Sequence, residues 1–144
     1  MTVIVDYGVG NLFSLQSSFS AIGESVTVSG DAETVKKADK LILPGVGAFA
    51  DAAKKLRSGG LDALVCEKAK SGTPLLGICL GMQILFEKSF EYGEHKGLGL
   101  IKGCVKPLEG YVPKDLKIPQ IGWNSLEFKH GKHPIFKYIN NGDF

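Results

Sequence analysis

Four short aliphatic or β-branched runs, at residues 2–5, 25–28, 40–43 and 73–78, alternate with stretches whose apolar residues recur at helical period. This alternation is the strongest constraint on the fold. Strands that follow one another only through helices cannot pair as hairpins and pair in parallel, with the helices packed on the sheet faces. After the first run, Tyr7-Gly8-Val9-Gly10-Asn11 forms a glycine-rich turn before the spacing Leu12, Leu15, Phe19, Ile22. Asp31 caps a short helical segment holding Val35, and residues 50–57 and 61–69 form two further helices ended by Gly59-Gly60 and Ser71-Gly72. The predicted fold is α/β, a doubly wound, mostly parallel sheet in a three-layer, flavodoxin-like arrangement.

The 144 residues fit one domain, spanning 1–144, of a size that buries roughly 68–70% of its unfolded surface. Interspersed lysines and acids give a formal charge of +2, with no like-charge block or basic-aromatic interleaving, so no nucleic-acid partner is expected. The longest apolar run, residues 75–86, is interrupted by Gln83 and falls short of the ~20 residues a membrane helix needs. No cationic region precedes the apolar start at Val3, so neither a secretory signal nor a membrane partner is expected, and the expected location is cytoplasmic. Three cysteines without paired spacing make neither a disulfide framework nor a zinc site, and Cys66 and Cys104 read as core residues. The Gly8-x-Gly10 turn lacks the third glycine of a dinucleotide fingerprint, Phe13 standing in its place, and no acidic residue ends the second strand. No metal or cofactor is therefore expected.

Candidate chemistry lies in the fourth unit. Gly77-x-Cys79-x-Gly81 runs from a buried strand into a helix, the spacing of a nucleophile elbow whose turn closes only with tiny neighbours. A helix starting at Leu80 aims unpaired N–H groups at the sulfur, which favours the attacking thiolate. Directly after the third strand, Pro44-Gly45-Val46-Gly47-Ala48-Phe49 leaves backbone N–H groups uncovered, as an oxyanion site requires. Loops at the carboxyl ends of neighbouring parallel strands share one sheet edge, where open α/β folds bind ligands. The helix after Cys79 is predicted to carry Gln83, Glu87 and Glu91 on one face at four-residue steps. His95 is expected in a polar loop, and residues 126–128 in a short strand.

Five segments together resemble the class I (triad-type) glutamine amidotransferases, and among them the glutaminase subunits that serve imidazole glycerol phosphate synthesis. They are Asp6-Tyr7-Gly8-x-Gly10-Asn11-Leu12, Leu43-Pro44-Gly45-Val46-Gly47-Ala48-Phe49, Leu76-Gly77-Ile78-Cys79-Leu80-Gly81-Met82-Gln83, Leu98-Gly99-Leu100-Ile101 and Pro119-x-x-Gly122-Trp123-Asn124. The resemblance implies that Cys79 attacks the side-chain amide of glutamine and forms a thioester that water cleaves. It implies oxyanion contacts from Leu80 N–H and from the loop of Gly45, Val46 and Gly47, and substrate contacts from Gln83 and Glu91. It also implies that Asn11 and Trp123 face a (β/α)8-barrel cyclase subunit in a heterodimer. That partner uses the ammonia in histidine biosynthesis, a reaction spanning hydrolase, lyase and transferase chemistry, without a cofactor.

Two departures accompany the resemblance. Gln120 stands where the family commonly has histidine, with only a changed interface contact expected. The family's C-terminal His-x-Glu pair, which supplies base and orienter, has no counterpart before Phe144. His95, His130 and His133 are expected in exposed loops. The expectation is a chain truncated at its C-terminus, inactive or nearly so alone and of marginal stability. The alternatives are a cysteine hydrolase of another kind, a glutaminase serving another synthase such as a sugar amidotransferase, and a non-catalytic docking subunit.

Overall fold

Strands β1 (Thr2–Val5), β2 (Thr27–Ser29), β3 (Lys40–Leu43) and β4 (Leu75–Gly77) form one parallel sheet in the order β2-β1-β3-β4. The structure, a computed structural model, describes residues 1–129 and 131–143, so His130 and Phe144 lie outside the described residues. The predicted α/β class, a mostly parallel sheet with helices, holds. Within the sheet Val3 pairs with Leu41 and Leu41 with Leu75. The second strand occupies 27–29 rather than 25–28.

Strand alternation divides the apolar residues between the two faces. Val3, Val5, Leu41 and Leu43 join one buried cluster with Val35 of α2 (Ala32–Lys36), Phe49, Ala52, Ala53 and Leu56 of α3 (Phe49–Ser58), and Leu61 and Val65 of α4 (Leu61–Lys70). Ile4 and Ile42, at the alternate positions, are buried on the opposite side of the sheet. Each fully buried side chain of this size contributes roughly 1.5–3 kcal/mol relative to an exposed one. Helix α1 (Leu12–Ala21) buries no residue fully; its apolar Leu12, Leu15 and Phe19 are half-buried. Strand β4 is the sheet's edge, and Leu76 is exposed there, so the run leading to Cys79 is not the fully buried strand predicted for it.

The strand order has a consequence for function. After β1 the chain moves to β2 on one side, and after β3 it moves to β4 on the other, so the loops leaving β1 and β3 diverge. A crevice opens at such a switch point, at the carboxyl ends of the strands.

The helix following Cys79 is short. Helix α5 covers only Leu80–Ile84, and the chain then enters β5 (Phe86–Ser89). The cause lies in residues 98–101: Leu98 N donates to Ile84 O, Leu100 N and Ile101 N to Leu85 O, and Gly99 N to Phe86 O. These amides take the carbonyls that a continuing helix would have used. Strand β5 pairs antiparallel with β6 (His95–Lys96) and parallel with β7 (Ile101–Val105). Glu87 and Glu91 therefore do not share a helix face with Gln83, and His95 is in a strand pair with Ser89 rather than in a loop.

The chain divides into two compact units, residues 1–107 and 108–144. In the second, the described regular structure is a single 3-10 turn, Pro134–Phe136, and residues 126–128 form no strand. Leu126 N donates to Asp143 O, Gly142 N donates to Leu126 O, and the Phe128 and Phe136 rings lie 5.2 Å apart between centroids.

Candidate active site

Cys79 lies between β4 and α5 with φ 55° and ψ −119°, left-handed backbone that an L-residue adopts only when its surroundings impose it. Both flanking glycines are imposed by close approach. A Cβ on Gly77 would lie 2.5 Å from Met82 Cα, and one on Gly81 only 1.9 Å from Leu43 O. The turn is held by Ile78 N donating to Leu43 O at 3.0 Å and Gly81 N to Ile78 O at 2.9 Å. Its thiol is exposed, and among the described residues no group hydrogen bonds to it. Leu80, buried, begins α5, so its N–H has no intrahelical acceptor.

The loop after β3 packs directly on this turn. A Cβ on Gly45 would lie 2.5 Å from Gly81 N and 2.9 Å from Leu80 Cβ, so the loop backbone packs directly on the start of α5. Pro44 and Gly45 are buried, whereas Val46 and Gly47 are exposed, and Gly47 has φ 86°. The amides of Val46 and Gly47 have no hydrogen-bond acceptor among the described residues. Sequence spacing correctly placed this loop beside the cysteine. On its far side Tyr7, 7% exposed, donates its hydroxyl to Pro44 O at 2.5 Å. Burial pushes the Tyr7 phenol up from 10.0 to about 12.

Gln83, half-buried, lies in α5 one turn beyond Cys79. Glu91 reaches the end of the glycine loop from another direction. It follows β5, its N–H donates to the buried Ser89 hydroxyl at 3.1 Å, and its Oε2 accepts from Phe49 N at 2.6 Å. Phe49 opens α3 just after the exposed glycine loop, and the N-cap residue Ala48 offers no side-chain acceptor, so Glu91 caps that helix from a distance. Glu87 turns elsewhere, accepting from Gly103 N at 2.8 Å.

The remaining predicted residues have other surroundings. Asn11 is exposed and caps α1, its Oδ1 accepting from Ser14 N at 3.2 Å. Trp123 is 86% exposed, in the second unit. Cys66 Sγ contacts Leu98 O at 3.8 Å, and burial pushes its thiol up, while Cys104 lies half-buried in β7. His133 Nδ1 accepts from Ile135 N at 3.2 Å and caps the 3-10 turn. Sequence reasoning missed the contact made by Tyr7 and the capping role of Glu91. Tyr7 carried a signal, a large polar-tipped side chain directly after a buried strand; the capping role of Glu91 carried none, because it depends on β5 replacing a helix.

A strained, glycine-flanked cysteine at a strand-to-helix turn, with a glycine loop packed on its backbone, has the geometry of a nucleophile elbow on an α/β sheet. The family "Glutamine amidotransferase class-I" matches residues 3–141, and the chain belongs to it. Its relatives include the imidazole glycerol phosphate synthase subunit HisH of Sulfurimonas denitrificans, 51% identical over 97% of this chain and 67% of that protein. The subunit of the same name from Aquifex aeolicus is 49% identical over 99% of this chain and 67% of that protein. The chain thus spans about two thirds of these relatives' length. Among solved structures, one described as a glutamine amidotransferase superposes with TM-score 0.64 at 21% identity, covering 76% of this chain and 57% of that one. A putative peptidase E protein from Listeria monocytogenes superposes with TM-score 0.58 at 15% identity over 69% of this chain and 62% of that one. Both bear on the fold alone.

Proposed function

We propose that this chain is the glutaminase subunit of an imidazole glycerol phosphate synthase, releasing ammonia from glutamine for histidine biosynthesis. The observation that carries this reading is the backbone contact between Gly45 and Gly81, which sets the glycine loop against the Cys79 turn. Cys79 Sγ attacks the amide carbon of glutamine, and the carbonyl electrons move onto oxygen. The Leu80 N–H and the loop amides of Val46 and Gly47 stabilise that charge; one such donor typically contributes 10²–10³ in rate. Collapse expels ammonia and leaves a thioester, which water cleaves to glutamate and free thiol. Gln83 and the second carboxylate oxygen of Glu91 hold the substrate's amino-acid end, the carboxylate facing its ammonium.

The cycle needs a base for the thiol proton and an acid for the departing ammonia. Within the first unit the one histidine, His95, belongs to β6 and pairs with Ser89. Asn11 and Trp123 are exposed and serve as contacts to a (β/α)8-barrel cyclase subunit in a heterodimer, which consumes the ammonia in a lyase and transferase reaction. The expected location is the cytoplasm, where histidine synthesis takes place.

The test is covalent capture. A chloroketone analogue of glutamine, L-2-amino-4-oxo-5-chloropentanoate, is expected to label Cys79 alone, with free glutamine protecting. Labelling that is indifferent to excess glutamine, or that survives Cys79→Ala, overturns the reading.

A further inference from the structure

The glycine loop is braced from both sides, and only one brace belongs to the nucleophile turn. On the other side stands the β1–α1 loop. Tyr7 donates its hydroxyl to Pro44 O at 2.5 Å, and Gly10, with φ 122°, lies so close that a Cβ there would sit 2.8 Å from Pro44 Cβ. Pro44 has no N–H and a fixed φ, so its carbonyl is the one polar handle by which its peptide can be oriented. In a trans peptide the carbonyl and the following N–H point in opposite directions. Holding Pro44 O thus also fixes Gly45 N–H and the point from which the chain rises to the unpaired amides of Val46 and Gly47.

We infer that Tyr7 is a positioning residue for the oxyanion loop: its buried hydroxyl locks the Pro44–Gly45 peptide so that the Val46 and Gly47 amides face the carbonyl attacked by Cys79. The inference rests on the glutaminase reading of Cys79. A hydroxyl buried this deeply must hydrogen bond, and among the described residues Pro44 O is its acceptor. Tyr7 touches neither substrate nor thiol. Its effect therefore falls on reactions that develop charge on oxygen and spares those that do not.

Two reagents separate these cases at the same sulfur. The chloroketone analogue forms a bond from Sγ to its methylene carbon and loses chloride, with its carbonyl oxygen seated in the oxyanion site. Iodoacetamide forms the same kind of bond and loses iodide without needing that site. Labelling of the Cys79 peptide is followed by mass spectrometry in the 144-residue chain. Tyr7→Phe is expected to slow the chloroketone about tenfold, below the loss for removing an oxyanion donor itself, and to leave the iodoacetamide rate within about twofold. Val3→Ala, a core truncation in β1, the strand that leads to Tyr7, controls for simple destabilisation and is expected to keep the ratio of the two rates.

Equal slowing of both reagents by Tyr7→Phe, or no slowing of either, overturns the role of Tyr7 while leaving the glutaminase reading in place. A ratio lowered as much by Val3→Ala overturns it too. Failure of the chloroketone to label the wild-type chain while iodoacetamide still does overturns the glutaminase reading and this inference together.

Discussion

Glu91 Oε2 accepts a hydrogen bond from the backbone N–H of Phe49 at 2.6 Å, joining the segment after β5 to the first residue of α3 across 42 positions of sequence. The carboxylate lies at the positive end of that helix and supplies the acceptor that Ala48 lacks. Removing it leaves a part-buried amide unpaired. Glu91→Ala is expected to lower stability by about 1 kcal/mol, on the scale of a lost helix cap, measured by urea denaturation. The same substitution is expected to weaken protection of Cys79 by glutamine at least tenfold, whereas Glu87→Ala leaves protection unchanged.

The burial of Tyr7 makes a pH prediction. Burial pushes its phenol from 10.0 up to about 12 in the folded chain, so between these values the folded state holds a proton that the unfolded state has released. Stability from this group is complete below pH 10 and is lost as pH rises toward 12. Melting curves are expected to show an alkaline loss on the order of 1–2 kcal/mol that is absent in Tyr7→Phe. A loss of equal size in both proteins would show that another group carries it.

Gly81→Ala is expected to be among the most damaging single-methyl changes in the chain. The added Cβ would meet Leu43 O at 1.9 Å, and the carbonyl cannot yield, because it accepts from Ile78 N. A cost of about 3 kcal/mol or more is expected, together with loss of glutamine-protected labelling. Gly60→Ala, with open space around it but φ 68°, is expected to cost about 1 kcal/mol and to spare labelling.

Trp123, 86% exposed and the only tryptophan, is a built-in reporter. Its emission is expected to be that of a water-exposed indole, readily quenched by iodide. Titration with a cyclase subunit is expected to shift the emission to the blue and to protect it from quenching. An unchanged spectrum alongside confirmed co-elution would place Trp123 outside the interface.

Much of this was legible in the sequence because it rests on local chemistry. Strands β1 and β3 were read to the residue, since each is an aliphatic run stopped by Asp6 or Pro44. Asp31 was read as the cap of α2, and its Oδ2 accepts from Thr34 N at 2.8 Å. The glycines around Cys79 pointed to a close approach without saying to what. The end of α5 was illegible for a physical reason. Gln83, Glu87 and Glu91 satisfy helical spacing, and only residues 98–101, arriving from further along the chain, take the carbonyls of Ile84, Leu85 and Phe86. Periodicity reports what a segment favours alone and is silent about a competitor for its hydrogen bonds.

The contact of Gly45 on Gly81 also fixes a length scale. At that contact Gly45 meets the backbone of Gly81 and the Cβ of Leu80, so the spacing of loop and turn is set by main chain and the first atom of one buried side chain. A methyl added at Gly45 or Gly81 would have to push main chain aside, so the spacing cannot be changed there in small steps. The large apolar side chains exposed on the two segments are those of Val46 and Met82. The distance from turn to loop is thus a ruler cut largely in backbone.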